Sequence, residues 1–542
     1  MMTIIPKFIT ALTKYLTLGL ILYPVLGVAD QRPNVILIVA DDLGYGDLSC
    51  YGAQTFQTPS IDALAKEGLR LTDANATAAV CQPSRYSILT GEYPQRIQKK
   101  GQYQTYFRPE QASLPSILKK AGYRTAMIGK WHNGFGRGSE PDYNQPNFCA
   151  STPGTMSYTP LDLGFESFFG TPRSHNEPPS VFAETVTGNN GQPTLRILAH
   201  DPQDPIAIHP SEKDPLKKPE DDYGHGFSRG AKTAHAARPV DQIDQIYADK
   251  AVQYLSQPKG EQPFFLYLAF NAPHVPLAPA PAFKGQSGIG DYGDFILQLD
   301  AGVGKVMSEL KRLKLDQNTL VILTSDNGGL FMGGKSIQWK DGRPVHRPVG
   351  KLIGQKTDGW EGGHRVPCIV KWPAGKIPAN ATCERLTSLS DLMATVAAAT
   401  QTPLGKNEAI DSINQLPLWL NPTLPSLRKE MPILGTKGTM LRTTDAQGIN
   451  WAYLPFRGSG GESIMDRPNA PGWGQRPQSM GFINSDIEFL PNGAGRVKPE
   501  APATQLYNLT TDPQQSTNIV AQFPELAKTL DSQLKKCFSN MP

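Results

Sequence analysis

The side chains able to do chemistry in this sequence fall into four kinds. Asp41-Asp42 and Asp326-Asn327 are oxygen donors, Lys130, Lys356 and Arg85 are fixed cations, His132 and His274 are imidazoles, and Cys81 opens the run Cys81-Gln82-Pro83-Ser84-Arg85. The first set offers only oxygen, which suits a hard divalent cation, Ca²⁺ or Mg²⁺, better than zinc. The two lysines and the arginine suit a tetrahedral oxyanion such as sulfate or phosphate. Imidazoles move protons near neutral pH. Pro83 reads as a first-turn residue of a helix that Cys81 begins, so residue 81 lies at the positive end of aligned peptide dipoles, where an anionic group is stabilised.

Groups spread from position 41 to position 356 meet only if the fold gathers them, and the flanking runs say how. Residues 34–40, Asn-Val-Ile-Leu-Ile-Val-Ala, are almost wholly apolar, as a strand covered on both faces must be, and they end at Asp41. Residues 122–130, 263–270 and 319–325 read as further strands leading to Lys130-Trp131-His132, to Pro273-His274 and to Asp326-Asn327. In an open α/β sheet, ligands collect beyond the carboxyl ends of the strands. Helices over 59–71, 113–120, 242–255, 292–313 and 386–399 are expected to cover the sheet. The expected fold class is therefore α/β, a large mostly parallel or mixed sheet sandwiched by helices. A smaller antiparallel α+β domain should occupy 426–542, where the runs become short and alternating.

Charge is nearly balanced, 53 Lys and Arg against 49 Asp and Glu, so the bulk surface favours no nucleic acid. Lys7 and Lys14 flank the start of an apolar run that ends in Gly27-Val28-Ala29. That pattern is a cleavable secretory signal peptide over 1–29, which implies a periplasmic or extracellular protein without stable membrane association. Cys50, Cys149, Cys368, Cys383 and Cys537 lack metal-type CxxC spacing, and Cys368 with Cys383 is the first disulfide to test. Residues 133–240, rich in Pro and Gly, read as a variable loop-rich insertion in a catalytic domain spanning 30–425. Arg173, His175 and His225 are its candidates for contacting the non-reacting part of a substrate.

These residues resemble the type I, formylglycine-dependent sulfatases of the alkaline phosphatase superfamily. Cys81, Pro83, Ser84, Arg85, Leu89, Thr90 and Gly91 match the first signature of that family, and Gly122-Tyr123-Arg124-Thr125 through Gly129-Lys130-Trp131-His132 match the second. A weaker echo is present in Leu506-Tyr507-Asn508-Leu509 and Asp512-Pro513.

The resemblance implies an alkaline-phosphatase-like fold and hydrolysis of sulfate esters. It implies that a maturase, reading the motif in the unfolded chain, oxidises Cys81 to Cα-formylglycine. One Ca²⁺ per chain would sit on Asp41, Asp42, Asp326, Asn327 and residue 81. Residue 81, Arg85, His132 and His274 would be catalytic, and Lys130 and Lys356 would bind the sulfate. With the export signal and the polar insertion, the expected substrate is a sulfated oligo- or polysaccharide, an algal galactan such as carrageenan or a glycosaminoglycan. A phosphomonoester or phosphonate monoester hydrolase on the same scaffold and a non-catalytic sulfated-glycan binding protein are the alternatives. The sequence departs from the family at Glu92, where Arg is common, at Asn133, where Leu is usual, and at Thr357, where Gly often follows the lysine.

Overall fold

A computed structural model describes residues 32–97, 107–108, 111–133, 159–175, 182–188, 190–198, 240–258, 260–330, 337–340, 343–436, 438–460, 483–491 and 495–539. The expected signal segment, Cys149 and His225 lie outside the described residues. The strands of the large sheet are β1 (Asn34–Asp41), β2 (Leu69–Leu71), β3 (Arg124–Lys130), β4 (Ser167–Thr171), β5 (Phe182–Thr187), β6 (Pro193–Leu198), β7 (Phe264–Pro273), β8 (Thr319–Ser325), β9 (Cys368–Lys371) and β10 (Ala381–Cys383). Their order is β10-β2-β9-β8-β1-β7-β3-β4-β5-β6. The five central strands, β8, β1, β7, β3 and β4, run parallel. Both flanks carry antiparallel pairings, β9 with β8 and with β2, and β5 with β4 and with β6.

The continuous apolar runs are explained by a helix layer on each face. Ile36 and Ile38 of β1 point into one core with Ile61 and Leu64 of α1 (Pro59–Lys66), Tyr247 of α4 (Ile243–Ser256) and Phe295, Leu299 and Val303 of α5 (Asp291–Arg312). Val35, Leu37 and Val39 point into a second core with Tyr86 and Leu89 of α2 (Cys81–Thr90), Ile117 of α3 (Leu114–Lys120) and Met393 and Val396 of α7 (Asp391–Ala399). Between α5 and α7 lies one short turn, α6 (Glu361–His364). Alternation along β1 sends successive side chains into different cores.

The smaller C-terminal unit is an antiparallel sheet of β11 (Glu430–Leu434), β12 (Thr439–Thr444), β13 (Asn450–Leu454) and β14 (Gln505–Asn508). Helix α8 (Pro524–Ser539) packs Leu530 and Leu534 against Leu441, Trp451, Tyr453 and Leu506 on one face of it. The other face, with Met431, Ile433 and Ala452, continues the first core of the large sheet.

Four expectations are corrected. The helix expected over 59–71 ends at Lys66, because Leu69 and Leu71 alternate inward as strand β2 and pair with β9 and β10. The helix expected over 386–399 begins only at Asp391, with Thr387–Ser388 extended and paired to Ala74–Asn75. The insertion over 133–240 is not all loop, since β4, β5 and β6 extend the large sheet. Cys368 and Cys383 are both free thiols. Both stand in register with Leu71, one on each side of β2, so two strand spacings, about 10 Å, part their backbones, beyond disulfide reach.

Candidate active site

Four adjacent parallel strands deliver their carboxyl ends to one place. β1 ends at Asp41, β8 is followed by Asp326 and Asn327, β7 by His274, and β3 ends at Lys130. Helix α2 aims its first residue, Cys81, at the same point, and Gly91 closes that helix in the left-handed conformation at φ 64°. The loop before α6 brings Lys356, its backbone N–H bonded to Gly329 O at 3.0 Å.

Each carboxylate there has a cation. Lys130 Nζ lies 2.5 Å from Asp41 Oδ2, and Lys356 Nζ lies 2.7 Å from Asp42 Oδ1. Arg85 Nε and Nη2 each lie 2.8 Å from Asp326 Oδ2, and Nη2 lies 3.7 Å from Asp41 Oδ1. Asn327 Nδ2 donates to Asp42 Oδ1 at 2.7 Å, and the backbone N–H of Asp42 donates to Asp326 Oδ1 at 3.2 Å. Cys81 Sγ stands 3.8 Å from Asp42 Oδ1, and His274 Nε2 stands 3.8 Å from Asp42 Oδ2.

Burial alone would raise the Asp41 carboxyl, but Lys130, His274, Arg85 and Lys356 together hold it well below the usual carboxylate range. Burial dominates at Asp326 and keeps it above that range, with Arg85 opposing. Burial also raises the Cys81 thiol, against Lys130 and Lys356, and lowers the His274 imidazole, with Lys356 adding to the fall.

The fit of a divalent cation can be read from unused atoms. Asp41 Oδ1 and Asn327 Oδ1 are buried acceptors with no hydrogen-bond donor. Buried acceptors of this kind are costly unless something positive meets them, and both belong to residues expected to ligate. The oxygen set therefore fits a hard cation on Asp41, Asp42, Asp326 and Asn327.

Three residues at or beside the site carry unusual backbone conformations. Asp42 (φ 61°), His132 (φ 57°) and Thr357 (φ 80°) are all left-handed without being glycine. Asp and His tolerate that conformation better than most, whereas a β-branched threonine does not. His132 bonds its backbone N–H to Pro172 O at 3.1 Å and is half-buried two residues beyond Lys130. One ligand atom each from Asp41, Asp42, Cys81 and His274 lies within 4.8 Å of the others, a group that does not include His132.

The sequence reasoning missed Ser174. Lys130 Nζ donates to Ser174 Oγ at 3.2 Å, and that oxygen lies 3.5 Å from His274 Nδ1. The neighbouring His175, singled out beforehand, is buried with its ring edge-to-face on His274 at 5.6 Å. Arg173 is half-buried on the same segment. A Ser-His dipeptide just past a Phe-Phe-Gly-Thr run was the available signal, but the proline-rich surroundings hid the strand that places it. Of the family departures, Glu92 is buried and accepts from Tyr86 Oη at 2.9 Å and Arg108 Nη2 at 2.7 Å. Asn133 donates to Trp131 O at 3.2 Å.

The family model described as Sulfatase matches residues 33–402. The chain belongs to the sulfatase family. It is a sulfatase of the alkaline phosphatase superfamily and a sulfuric ester hydrolase. It is 33% identical over 534 residues to an N-acetylgalactosamine-6-O-sulfatase of Bacteroides thetaiotaomicron, covering 94% of each chain. A mouse steryl-sulfatase is 34% identical over 442 residues, covering 72% of this chain and 66% of that protein. Among solved structures, a sulfatase described in work on the metabolism of multiple glycosaminoglycans by Bacteroides thetaiotaomicron superposes with TM-score 0.71 at 31% identity, covering 94% of this chain and 99% of that one. Sulfatases generally use a formylglycine made from cysteine together with a divalent metal, and this chain has a buried group of Asp41, Asp42, Cys81 and His274. Among the described residues no helix is long and apolar enough to cross a membrane.

Proposed function

We infer that this sulfatase removes sulfate from a sulfated carbohydrate outside the cytoplasm, with residue 81 as formylglycine and Ca²⁺ as its cation. The observation that carries the reading is the convergence of Lys130, Lys356, Arg85 and His274 on the carboxylates beside Cys81. Conversion of Cys81 would supply a hydrated aldehyde, one hydroxyl to attack sulfur and a second to let sulfate leave by elimination. Ca²⁺ on Asp41, Asp42, Asp326 and Asn327 would supply positive charge beside that nucleophile and the sulfate oxygens.

The chain's own residues do the rest. Lys130 and Lys356, now paired with Asp41 and Asp42, neutralise sulfate oxygens once a cation takes over those carboxylates. Arg85, buried and clamped on Asp326, fixes the positive wall behind residue 81. His274 gives a proton to the departing alcohol oxygen, and His132 takes one from residue 81. Ser174 orients Lys130 and His274 toward each other.

A carbohydrate is favoured over a steroid because the likeness to the Bacteroides sugar sulfatase runs through 94% of both chains, including the smaller unit, whereas the steryl-sulfatase match does not. The reading extends to 6-O-sulfated galactosamine or galactose units, in a glycosaminoglycan or an algal galactan, and the printed activity of that relative supports the 6-O position. Lys7, Lys14 and the apolar run after them support export to the periplasm or beyond. The test is free sulfate released from defined chondroitin, carrageenan, ulvan and fucoidan oligosaccharides by protein co-expressed with a maturase. Release from 6-sulfated galacto units is expected. Faster turnover of matched phosphate esters, or none on any sulfate with formylglycine confirmed by mass, refutes it.

A further inference from the structure

Before conversion, residue 81 is a thiol, a soft donor among hard ones, and its neighbours are not all oxygen. One ligand atom from each of Asp41, Asp42, Cys81 and His274 lies within 4.8 Å of the other three, and all four residues are buried. Cys81 Sγ to Asp42 Oδ1 and His274 Nε2 to Asp42 Oδ2 are both 3.8 Å. Around a tetrahedral zinc ion with ordinary bond lengths a sulfur–oxygen edge is about 3.6 Å, close to the distance from Cys81 Sγ to Asp42 Oδ1, and the remaining edges, all within 4.8 Å, close by contraction onto the ion.

The remaining donors are also set for it. His274 Nδ1 lies 2.6 Å from the Val275 carbonyl oxygen, so Nδ1 carries the hydrogen and Nε2 presents its lone pair toward Asp42. A carbonyl on the far nitrogen is the usual second partner of a metal-bound histidine. Asp41 Oδ1 has no hydrogen bond, while Oδ2 keeps Lys130 at 2.5 Å, so Asp41 can accept a metal without losing its lysine. Sequence spacing hid this set because its members come from β1, the start of α2 and the end of β7.

We propose that a chain folded with Cys81 unconverted binds one thiophilic divalent cation, Zn²⁺, on Cys81, His274, Asp41 and Asp42, whereas a chain folded with formylglycine already at residue 81, having no thiolate, favours a hard, oxygen-liganded cation. Binding passes the thiol proton to solvent and changes no oxidation state. The inference concerns the protein before modification and stands apart from the substrate reading, which is tested on converted protein.

Full-length protein made without a maturase, with the thiol at residue 81 confirmed by intact mass, is stripped with chelator and titrated with Zn²⁺ and Co²⁺ beside Cys81→Ser and His274→Gln. The expected result is one Zn²⁺ per chain that excess Ca²⁺ does not displace. The Co²⁺ form should show a thiolate-to-metal charge-transfer band with tetrahedral visible bands. Cys81→Ser should lose that band and bind Zn²⁺ at least 10–100-fold more weakly, since losing a ligand costs no less than losing its outer-shell partner. His274→Gln should keep the band with weaker binding. Equal Zn²⁺ affinity in wild type and Cys81→Ser, no charge-transfer band, or ready displacement by Ca²⁺ overturns the proposal. If Cys81→Ser does not fold, His274→Gln decides, because unchanged affinity there overturns it equally.

Discussion

Arg85 closes on Asp326 through two nitrogens, Nε and Nη2, each 2.8 Å from Oδ2, and both side chains are fully buried. A buried ion pair adds little net stability, yet breaking one side of it strands a charge. Arg85→Met should therefore lower unfolding free energy by about 3–5 kcal/mol. Adding Asp326→Asn should recover part of that loss by removing the stranded carboxylate. Urea unfolding at fixed Ca²⁺ concentration measures both, and a double variant no more stable than the single one contradicts the pairing.

Lys130 and Lys356 reach the site from different elements, one at the end of β3 and one on the loop before α6. Each is held against a carboxylate rather than packed for stability, so each matters most when charge develops on sulfate oxygens. Lys130→Ala and Lys356→Ala should each lower kcat by on the order of 10²–10³ on a sulfate ester. Lys130→Arg should not rescue, because the wider guanidinium enters a pocket where Lys130 has no exposure. Steady-state kinetics on formylglycine-verified protein, with Tm as the folding control, tests this; full activity in either alanine variant refutes the sulfate-binding role.

What the sequence made legible follows from how strands report themselves. β1, β3, β7 and β8 are covered on both faces along nearly all their length, so their runs are largely apolar, and the polar residue at the end of each run marks the site. Asp41, Lys130, His274 and Asp326 were readable for that reason. Ser174 was not, because β4 is a short strand between proline-rich segments and only its neighbours in space reveal it. The contribution of the smaller unit was equally hidden. Leu434 N–H bonds Thr77 O at 2.9 Å and Ala79 N–H bonds Leu434 O at 2.8 Å, so β11 braces the segment leading into Cys81. Such long-range backbone pairing leaves no periodic trace. The Cys368–Cys383 pairing failed for a related reason, since nothing in the sequence shows β2 passing between them.

Thr357 departs from the glycine common in its family, and its φ of 80° shows the consequence. Its N–H bonds Ala79 O at 2.7 Å and its carbonyl accepts from Thr436 N–H at 3.2 Å, so the strained conformation is held from both sides. Left-handed backbone costs a side-chain-bearing residue about 1–2 kcal/mol. Glycine would recover that, less about 0.4–1 kcal/mol of added unfolded-chain entropy. Thr357→Gly should therefore raise Tm by about one degree with Lys356 still in place. Calorimetry checks it, and a lowered Tm would show that the threonine side chain, not the turn, governs this loop.

His364 ends α6 in full burial, its Nδ1–H donating to Asn75 Oδ1 at 3.0 Å. Burial, aided by Arg442 and Arg365 and opposed by Glu361, pushes its imidazole down to about 4. Above pH 6.5 the ring is neutral whether the chain is folded or not. Between 6.5 and about 4 the unfolded chain takes up a proton that the folded one refuses, so stability falls as pH falls through this window. The loss from this residue should total roughly 3 kcal/mol and level off below the folded value. His364→Gln, which can still donate to Asn75, should flatten the acid limb of the stability curve. Denaturant unfolding of both proteins at pH 7, 6, 5 and 4, spanning that window, is the check. Parallel curves would mean that the penalty lies with other groups.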